Sequence, residues 1–368
     1  MTGKAGKYSV SIMDMQTDED KDLNMPSTNY SVVRISRDIW RRSSFGMIYA
    51  GLDAASGHWD RTFAADFDLA TDRFLGNKNF EVSGWWEQNF KDDWSNNKHS
   101  TQVTVSYPND LLNLFFNYKE ADENYNPEVG FYQRVGTRHY RFRSRYSPRP
   151  NIPNLRQLTF AQEIWSQYNI KTGKLETEDI TFSPIGFTTK SEDTFSFTAG
   201  YHFDTLDLPF NLFKDVRIPV GDYDWVDYNA TFRTSGTRPV SESLTLQTGG
   251  YYSGTKKTVN STLTTKFSRF LSVETAAIYN RLGFESDSFS TQEYSVRVNT
   301  NISPSIDCRT FLQYNNGDDL LNLNFRIHYI PQVGSDLFLV FNHIWDKGRD
   351  YTTTYDATLA KIDWRFEF

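Results

Sequence analysis

The closing stretch T-L-A-K-I-D-W-R-F-E-F, Thr358 to Phe368, decides how the rest of the chain is read. In an extended backbone successive side chains point to opposite faces. Thr358, Ala360, Ile362, Trp364, Phe366 and Phe368 therefore share one side, and Lys361, Asp363, Arg365 and Glu367 share the other. One side is apolar and aromatic; the other is charged. A water-soluble sheet exposes such a charged face, but it does not usually finish on a bare aromatic residue directed the opposite way. The same division recurs upstream, with Leu321, Leu323, Phe325, Ile327 and Tyr329 against Asn322, Asn324, Arg326 and His328. It is sharpest where Tyr140, Phe142 and Tyr146 oppose His139, Arg141, Arg143 and Arg145.

Composition agrees with a chain built from two-faced strands. Phe 29, Tyr 21 and Trp 9 make 16% of the 368 residues aromatic, yet only 38% are hydrophobic. No window approaches the ~18 consecutive apolar residues of a membrane helix. Lipid-facing and lumen-facing residues alternate in a transmembrane barrel, so its strands escape a hydropathy scan. The net charge of −7, from 39 basic and 46 acidic residues, argues against a nucleic-acid partner, which calls for a basic footprint. The lone Cys308 excludes an internal disulfide framework and any multi-cysteine metal site. An alternating strand closing on an aromatic residue resembles the terminal strand of a bacterial outer-membrane β-barrel. Trp364, Phe366 and Phe368 would then be the signal read by the barrel-assembly machinery. The fold class expected is an all-β, transmembrane, antiparallel up-and-down barrel occupying residues 1–368 as a single domain. The opening Met1-Thr-Gly-Lys-Ala-Gly has no apolar core of a signal peptide. For an exported barrel, the expectation is a fragment of a longer protein.

Short alternating segments of about the ~9–11 residues needed to cross a bilayer follow one another from Tyr8. They run Lys7 to Gln16, Asn29 to Trp40, Phe45 to Leu52, Arg61 to Ala70, Asn79 to Phe90, Ser100 to Tyr107, Leu111 to Glu120 and Arg138 to Tyr146. Leu155 to Asn169, Lys174 to Phe187 and Thr194 to Phe203 continue the series. Beyond a long connection, Asp204 to Asp224, nine more segments lead from Trp225 to the final one, Tyr355 to Phe368. This predicts about twenty strands, with eighteen also compatible, because segment ends read from sequence shift by ~2–4 residues. If the C-terminus is periplasmic, the connections sort by length. Pro108 to Asp110, Ser268 to Phe270, Ser303 to Ser305 and Pro331 to Ser335 fall on the periplasmic side. Thr17 to Ser27, Ala121 to Gly136, Asp204 to Asp224, Phe284 to Ser290 and Asp346 to Thr354 fall outside, the asymmetry typical of such barrels.

Three stretches support a family resemblance. Gly3-Lys4-Ala5-Gly6-Lys7-Tyr8-Ser9-Val10 with Met15-Gln16-Thr17, Asn29-Tyr30-Ser31-Val32-Val33-Arg34, and Ser335-Asp336-Leu337-Phe338-Leu339-Val340-Phe341-Asn342 are similar to a bacterial family of unknown function. Its members occur in Bacteroidota and some Gammaproteobacteria and join an N-terminal domain like family-9 carbohydrate-binding modules to a C-terminal outer-membrane barrel. The resemblance implies that this chain is the barrel half, with the N-terminal module lacking. It transfers no catalytic residues.

If the chain is a barrel, its charged faces line the lumen. His139, Arg141, Arg143 and Arg145 form a basic ladder joined by Arg297, Arg326, Lys361 and Arg365, with Asp66, Asp68, Glu163, Asp363 and Glu367 as acidic counterparts. They are either an eyelet that steers anionic solutes or a hydrated, cross-paired interior that keeps the strands in register. Asp204 to Asp224 holds Leu206, Leu208, Phe210, Leu212 and Phe213, too apolar for a freely solvated loop. It is read either as an inward plug that narrows the barrel or as an external cap. The histidines 58, 99, 139, 202, 328 and 343 suggest no serine–histidine constellation, and G-x-S-x-G, P-loop and H-E-x-x-H motifs are absent. Asp18, Glu19, Asp20 and Asp22 lack the spacing of an EF-hand and read as solvated loop charge. Residues 313 to 319 read as a hairpin turn. No cofactor and no metal are expected. The function expected is a passive pore or entry channel for saccharides or other small polar solutes, with outer-membrane lipid and the assembly machinery as partners. The alternatives are a non-enzymatic anchor with an occluded lumen and a membrane-embedded hydrolase.

Overall fold

The structure, a computed structural model, describes residues 1–92, 98–213, 216–285 and 287–365. Among the described residues there are twenty-three strands and one 3-10 turn, Lys347–Arg349. The strands are β1 (Thr2–Ala5), β2 (Tyr8–Thr17), β3 (Thr28–Trp40), β4 (Ser43–Ala54), β5 (Trp59–Phe74), β6 (Lys78–Lys91), β7 (His99–Pro108), β8 (Leu112–Ala121), β9 (Thr137–Tyr146), β10 (Leu155–Asn169), β11 (Leu175–Thr189) and β12 (Thr194–Leu206). They continue as β13 (Phe210–Phe213), β14 (Val216–Ile218), β15 (Gly221–Arg233), β16 (Val240–Tyr251), β17 (Gly254–Lys266), β18 (Leu271–Gly283), β19 (Ser288–Ser303), β20 (Ile306–Asn315), β21 (Leu320–Gln332), β22 (Ser335–Asp346) and β23 (Thr352–Asp363). Twenty-one of them belong to one sheet, and β13 and β14 form a separate hairpin. With the four-residue β1 set aside, the number that can cross a bilayer is twenty, as the alternation predicts.

The chain divides into two compact units. The first comprises Met1–Ser147, Phe160–Phe182 and His202–Thr205; the second comprises Pro148–Thr159, Ser183–Tyr201 and Leu206–Phe368. Within each unit, sequential strands pair antiparallel in a register that never mixes the two faces. In the first unit Gly46, Asp66, Trp85, Gln102, Lys119 and His139 stand in one row across six strands. The adjacent row, one residue away on the opposite face, holds Phe45, Phe67, Gly84, Val103, Tyr118 and Tyr140. In the second unit Glu274, Arg297, Phe311, Asn324, Asn342 and Ala357 share the polar face. Val273, Val298, Thr310, Phe325, Phe341 and Thr358 share the other. A one-residue slip would exchange the faces of a whole strand, so the pattern itself specifies the register.

Almost nothing apolar is buried. Among the described residues the buried hydrophobic side chains are Ala50, Leu52, Ala121, Tyr125, Ile218 and Leu282, while Met47, Phe63, Trp86, Phe182, Leu246 and many others lie exposed. A chain of this length in water buries most of its apolar surface in a core. Here that surface is displayed on one face of the sheet, which requires a solvent other than water.

Three boundaries differ from the expectation. The terminal strand ends at Asp363 instead of Phe368. Its partner β22 supplies Asp336 opposite Asp363, and the Val333–Gly334 turn then removes any further partner residues. Beyond it, Arg365 donates its backbone N–H to Ser335 Oγ, 2.9 Å away. Phe366, Glu367 and Phe368 lie outside the described residues. At the other terminus Thr2–Ala5 adds a short strand antiparallel to β2 through a turn at Gly6, whose φ of 60° favours glycine. The connection Asp204 to Asp224 is largely strand: β12 extends to Leu206, β15 starts at Gly221, and β13 and β14 fill the interval.

The facing of the strands is tested by neighbouring substitutions at the middle of β19. Val296 is on the apolar face between Thr275 and Leu312, whereas Ser295 is on the polar face between Ala276 and Gln313. Val296→Arg is expected to destabilise the protein refolded in lipid vesicles by ~2–4 kcal/mol, and Ser295→Arg by little, as measured by urea unfolding.

Candidate functional site

The polar face of the first unit carries the basic ladder. His139, Arg141, Arg143 and Arg145 project from β9 on the same side as Asp66 and Asp68 of β5, and Arg141 stands in one row with Asn117, Thr104, Ser83 and Asp68. Glu163 of β10 lies opposite Arg143 and accepts a hydrogen bond of 2.6 Å from Arg141 Nε. Arg143 instead places its guanidinium 4.1 Å over the Phe115 ring. Among the described residues neither Arg143 nor Arg145 is paired with a carboxylate. Both line a cavity of about 300 Å³ with Ser106, Asn113, Phe115 and Glu163. Within the ladder, Arg141 is thus paired with an acid, and Arg143 and Arg145, toward the β7–β8 turn, are not.

Asp66 has a different role. It receives both terminal nitrogens of Arg34, at 2.8 and 2.9 Å, across the intervening strand β4. That reach is possible because Gly46 lies between them: a Cβ there would sit 2.7 Å from Asp66 Oδ2 and 3.0 Å from Arg34 Nη2. The fork-to-fork geometry fixes orientation as well as supplying attraction. Gly46→Ala is expected to displace the pair and cost ~1 kcal/mol of stability, since the ion pair is only half-buried. Arg34→Gln should cost a similar amount, and the double variant little more than either alone.

The connection Ala121 to Gly136 folds onto this same face, which the sequence did not indicate. Tyr125 is 1% exposed and packs edge-on against Tyr132, with ring centroids 5.3 Å apart, while Lys119 places its ammonium 4.2 Å from the Tyr132 ring. Burial first, and Glu87 second, push the Tyr125 hydroxyl well above its usual range. Asp60 and Asn89 are fully buried beneath the loop. Asn89 Nδ2 donates to Asp60 Oδ1 at 2.8 Å and to Thr62 Oγ1 at 3.0 Å, and Asp60 Oδ2 accepts the backbone N–H of Glu128. Glu128 is held by Lys91 at 2.7 Å and by His58 Nε2 at 2.9 Å, while His58 Nδ1 meets Asp92 at 2.8 Å. Burial disfavours the Glu128 carboxylate, but Lys91 and His58 outweigh it and hold its pKa down. Two aromatic residues in a loop beside Asn126-Pro127 were the available clue.

With a carboxylate on each ring nitrogen, His58 is a full hydrogen-bond donor only as imidazolium. Glu128 first and Asp92 second raise its pKa above the ordinary 6.5. The fastening it provides is therefore complete below about pH 6.5 and is lost as pH rises through the raised value. Proteolytic cleavage within residues 122–136 is expected to quicken severalfold between pH 6 and pH 9 in the parent protein. The cleavage rate of His58→Gln should be the same at both pH values once protease activity is normalised.

His99, Glu120 and Asp122 also converge, close enough for a shared cation. They stand at the rim on the apolar side, where Arg138 Nε already binds Glu120 at 2.5 Å and His99 pairs with Asp122. Each carboxylate of the group already has a partner within the protein.

In the second unit the predicted polar residues are dispersed. Arg297 pairs with Glu274 at 3.1 Å and lies over Phe311. Arg326 faces Arg309 in register and lies over Phe338. Lys361 and Asp363 stand opposite Phe338 and Asp336 on the polar face. His328 bridges Asp307 at 2.9 Å and Asp336 at 2.7 Å. Arg365 follows the strand end. Of the apolar set, Leu206 closes β12 and Leu208 is 77% exposed. Phe210 packs against Tyr252 at 5.7 Å and Phe213 stacks on Phe289 at 4.9 Å. The β13–β14 hairpin therefore rests on the β16–β17 and β18–β19 turns. Phe213 closes one side of a cavity of about 530 Å³ lined by Asn280, Thr291, Gln292, Glu293 and Asn315.

No family model matches the chain, and no curated protein matches it. Solved structures do. The ferric enterobactin receptor of Pseudomonas aeruginosa is similar over 97% of this chain and 72% of its own, with a TM-score of 0.55 and 10% identity. The siderophore receptor PirA of the same organism is similar over 93% and 71%, with a TM-score of 0.54 and 8% identity. PirA of Acinetobacter baumannii is similar over 97% and 73%, with a TM-score of 0.50 and 10% identity. The fold is thus a transmembrane, antiparallel up-and-down β-barrel of the kind used by outer-membrane receptors.

Proposed function

We propose that the chain is a non-enzymatic outer-membrane barrel that admits small polar solutes, with anions favoured by the ladder on its inner face. The observation that carries this reading is the pair of uncompensated arginines, Arg143 and Arg145, beside the Arg141–Glu163 pair in a wall cavity. Arg143 and Arg145 are exposed on the polar face with no carboxylate paired to either among the described residues, and a column of arginines beside water raises the local anion concentration. The structurally similar proteins are named as a ferric enterobactin receptor and a siderophore receptor, which is in keeping with a barrel that handles a small solute. Saccharides remain within this reading through the amide- and hydroxyl-lined cavity under Phe213.

In planar bilayers the refolded chain is expected to form stable openings selective for anions. Replacing Arg141, Arg143 and Arg145 by Gln together should lower the chloride-to-potassium permeability ratio about threefold or more. Openings with unchanged selectivity would sink the eyelet.

A second reading has its own observation, the loop Ala121 to Gly136 pinned on the polar face by Tyr125, Asp60 and Glu128. In that reading the lumen is occluded and the barrel serves as an anchor presenting an attached carbohydrate-binding-like domain. A silent parent protein that conducts once Tyr125 and Tyr132 are both replaced by Ala would favour it over the open pore.

A further inference from the structure

A groove of about 560 Å³ crosses the apolar face of the first unit between β2 and β6. Its floor is Ala65, which the register places between Met47 and Trp86. One short side chain stands between two long ones, and the sheet surface is recessed there. Tyr49 and Phe63, in ring contact at 5.1 Å, wall one end, and Phe45 borders the other. Phe45, Met47, Phe63 and Trp86 are all exposed, so the groove has aromatic and thioether walls and nothing of the protein inside it.

Arg37 stands at the Phe45 end. It is in register with Phe45 on β4 and Tyr8 on β2, and its guanidinium lies 5.3 Å over the Tyr8 ring. The nearest acid in sequence, Asp38, points to the other face and is held by Lys4 at 2.7 Å. Among the described residues no carboxylate pairs with Arg37. An arginine on the lipid-facing side of a transmembrane strand is unfavourable near the midplane and tolerable near the interface, where it meets charged head groups. Arg37 lies four residues before the β3–β4 turn, on the side of the short turns, and exposed Trp40 marks the interface there.

We infer that this groove is a binding site for one phospholipid of the periplasmic leaflet, with an acyl chain lying over Ala65 between Met47 and Trp86 and the phosphate paired with Arg37. The apolar groove alone would accept any hydrocarbon; the uncompensated guanidinium at its interfacial end selects a lipid that carries an anionic phosphodiester beside its chains. The site stands on the opposite face from the eyelet and is independent of what the barrel admits.

Native mass spectrometry of the folded protein in a nonionic detergent, titrated with phosphatidylethanolamine, tests this. One lipid per chain is expected to survive collisional stripping of the detergent. Arg37→Gln and Ala65→Trp should each lower the bound fraction about tenfold, the scale of losing one charge-assisted contact. Diacylglycerol with the same chains should bind weakly and indifferently to the parent and Arg37→Gln, and inorganic phosphate should leave no adduct. Heat-modifiable mobility checks that each variant is folded; Arg37→Gln changes an exposed side chain and keeps the test valid if Ala65→Trp does not fold. Equal retention by the parent and Arg37→Gln, or diacylglycerol binding as tightly as the phospholipid, would overturn the site.

Discussion

Backbone hydrogen bonding in a medium without water is the constraint on which the rest depends. Each N–H and C=O in the hydrocarbon must find a partner within the protein, and paired strands satisfy that demand while leaving side chains free to face two solvents. The ladders from β2 to β9 and from β15 to β23 do this with few irregularities. The sequence can then spend every second residue on lipid and every other on water. That explains an aromatic-rich chain with scarcely any buried core.

The polar face is heterogeneous in how its charges are compensated. Arg34 and Asp66, Arg297 and Glu274, and His328 with its two aspartates are satisfied within the wall. Arg143 rests on an aromatic ring, and Arg145 forms no ion pair among the described residues. The first group is satisfied by acids within the wall; the second is not. Both loop assemblies on the longer-loop side are fastened by aromatic contacts backed by polar ones, Tyr125 with Tyr132 in one case and Phe213 with Phe289 in the other. They differ in where they rest: one on the wall of the polar face, the other on neighbouring turns.

Side-chain parity made the strands legible, because a period of two is a local property and survives without knowledge of partners. Lys361, Asp363, Arg141 and Glu163 were assigned to a face from sequence alone and lie on the polar faces of their units. What parity could not reveal was anything set by a neighbour. Asp363 ends its strand because β22 runs out of residues opposite it, and Tyr125 is buried against Tyr132 of its own loop and Glu87 from a strand far earlier in the chain. The apolar run around Phe210 and Phe213 was visible, but Tyr252 and Phe289, which receive it, were not. The fold was therefore readable from one chain segment at a time, and the site was not.

Parity has a further weakness that Gly46 addresses. Sliding a strand by one residue inverts its faces and is penalised at once, but sliding it by two restores both faces and leaves the lipid and the water equally content. A missing side chain at Gly46, bridged by Arg34 and Asp66 from the strands on either side, breaks that degeneracy. Shifted by two positions, β4 would present Ser44 or Ile48 where the gap must be, and the clamp could not close. A single glycine thus acts as an index mark, distinguishing the native alignment of three strands from neighbours that hydrophobicity alone would accept.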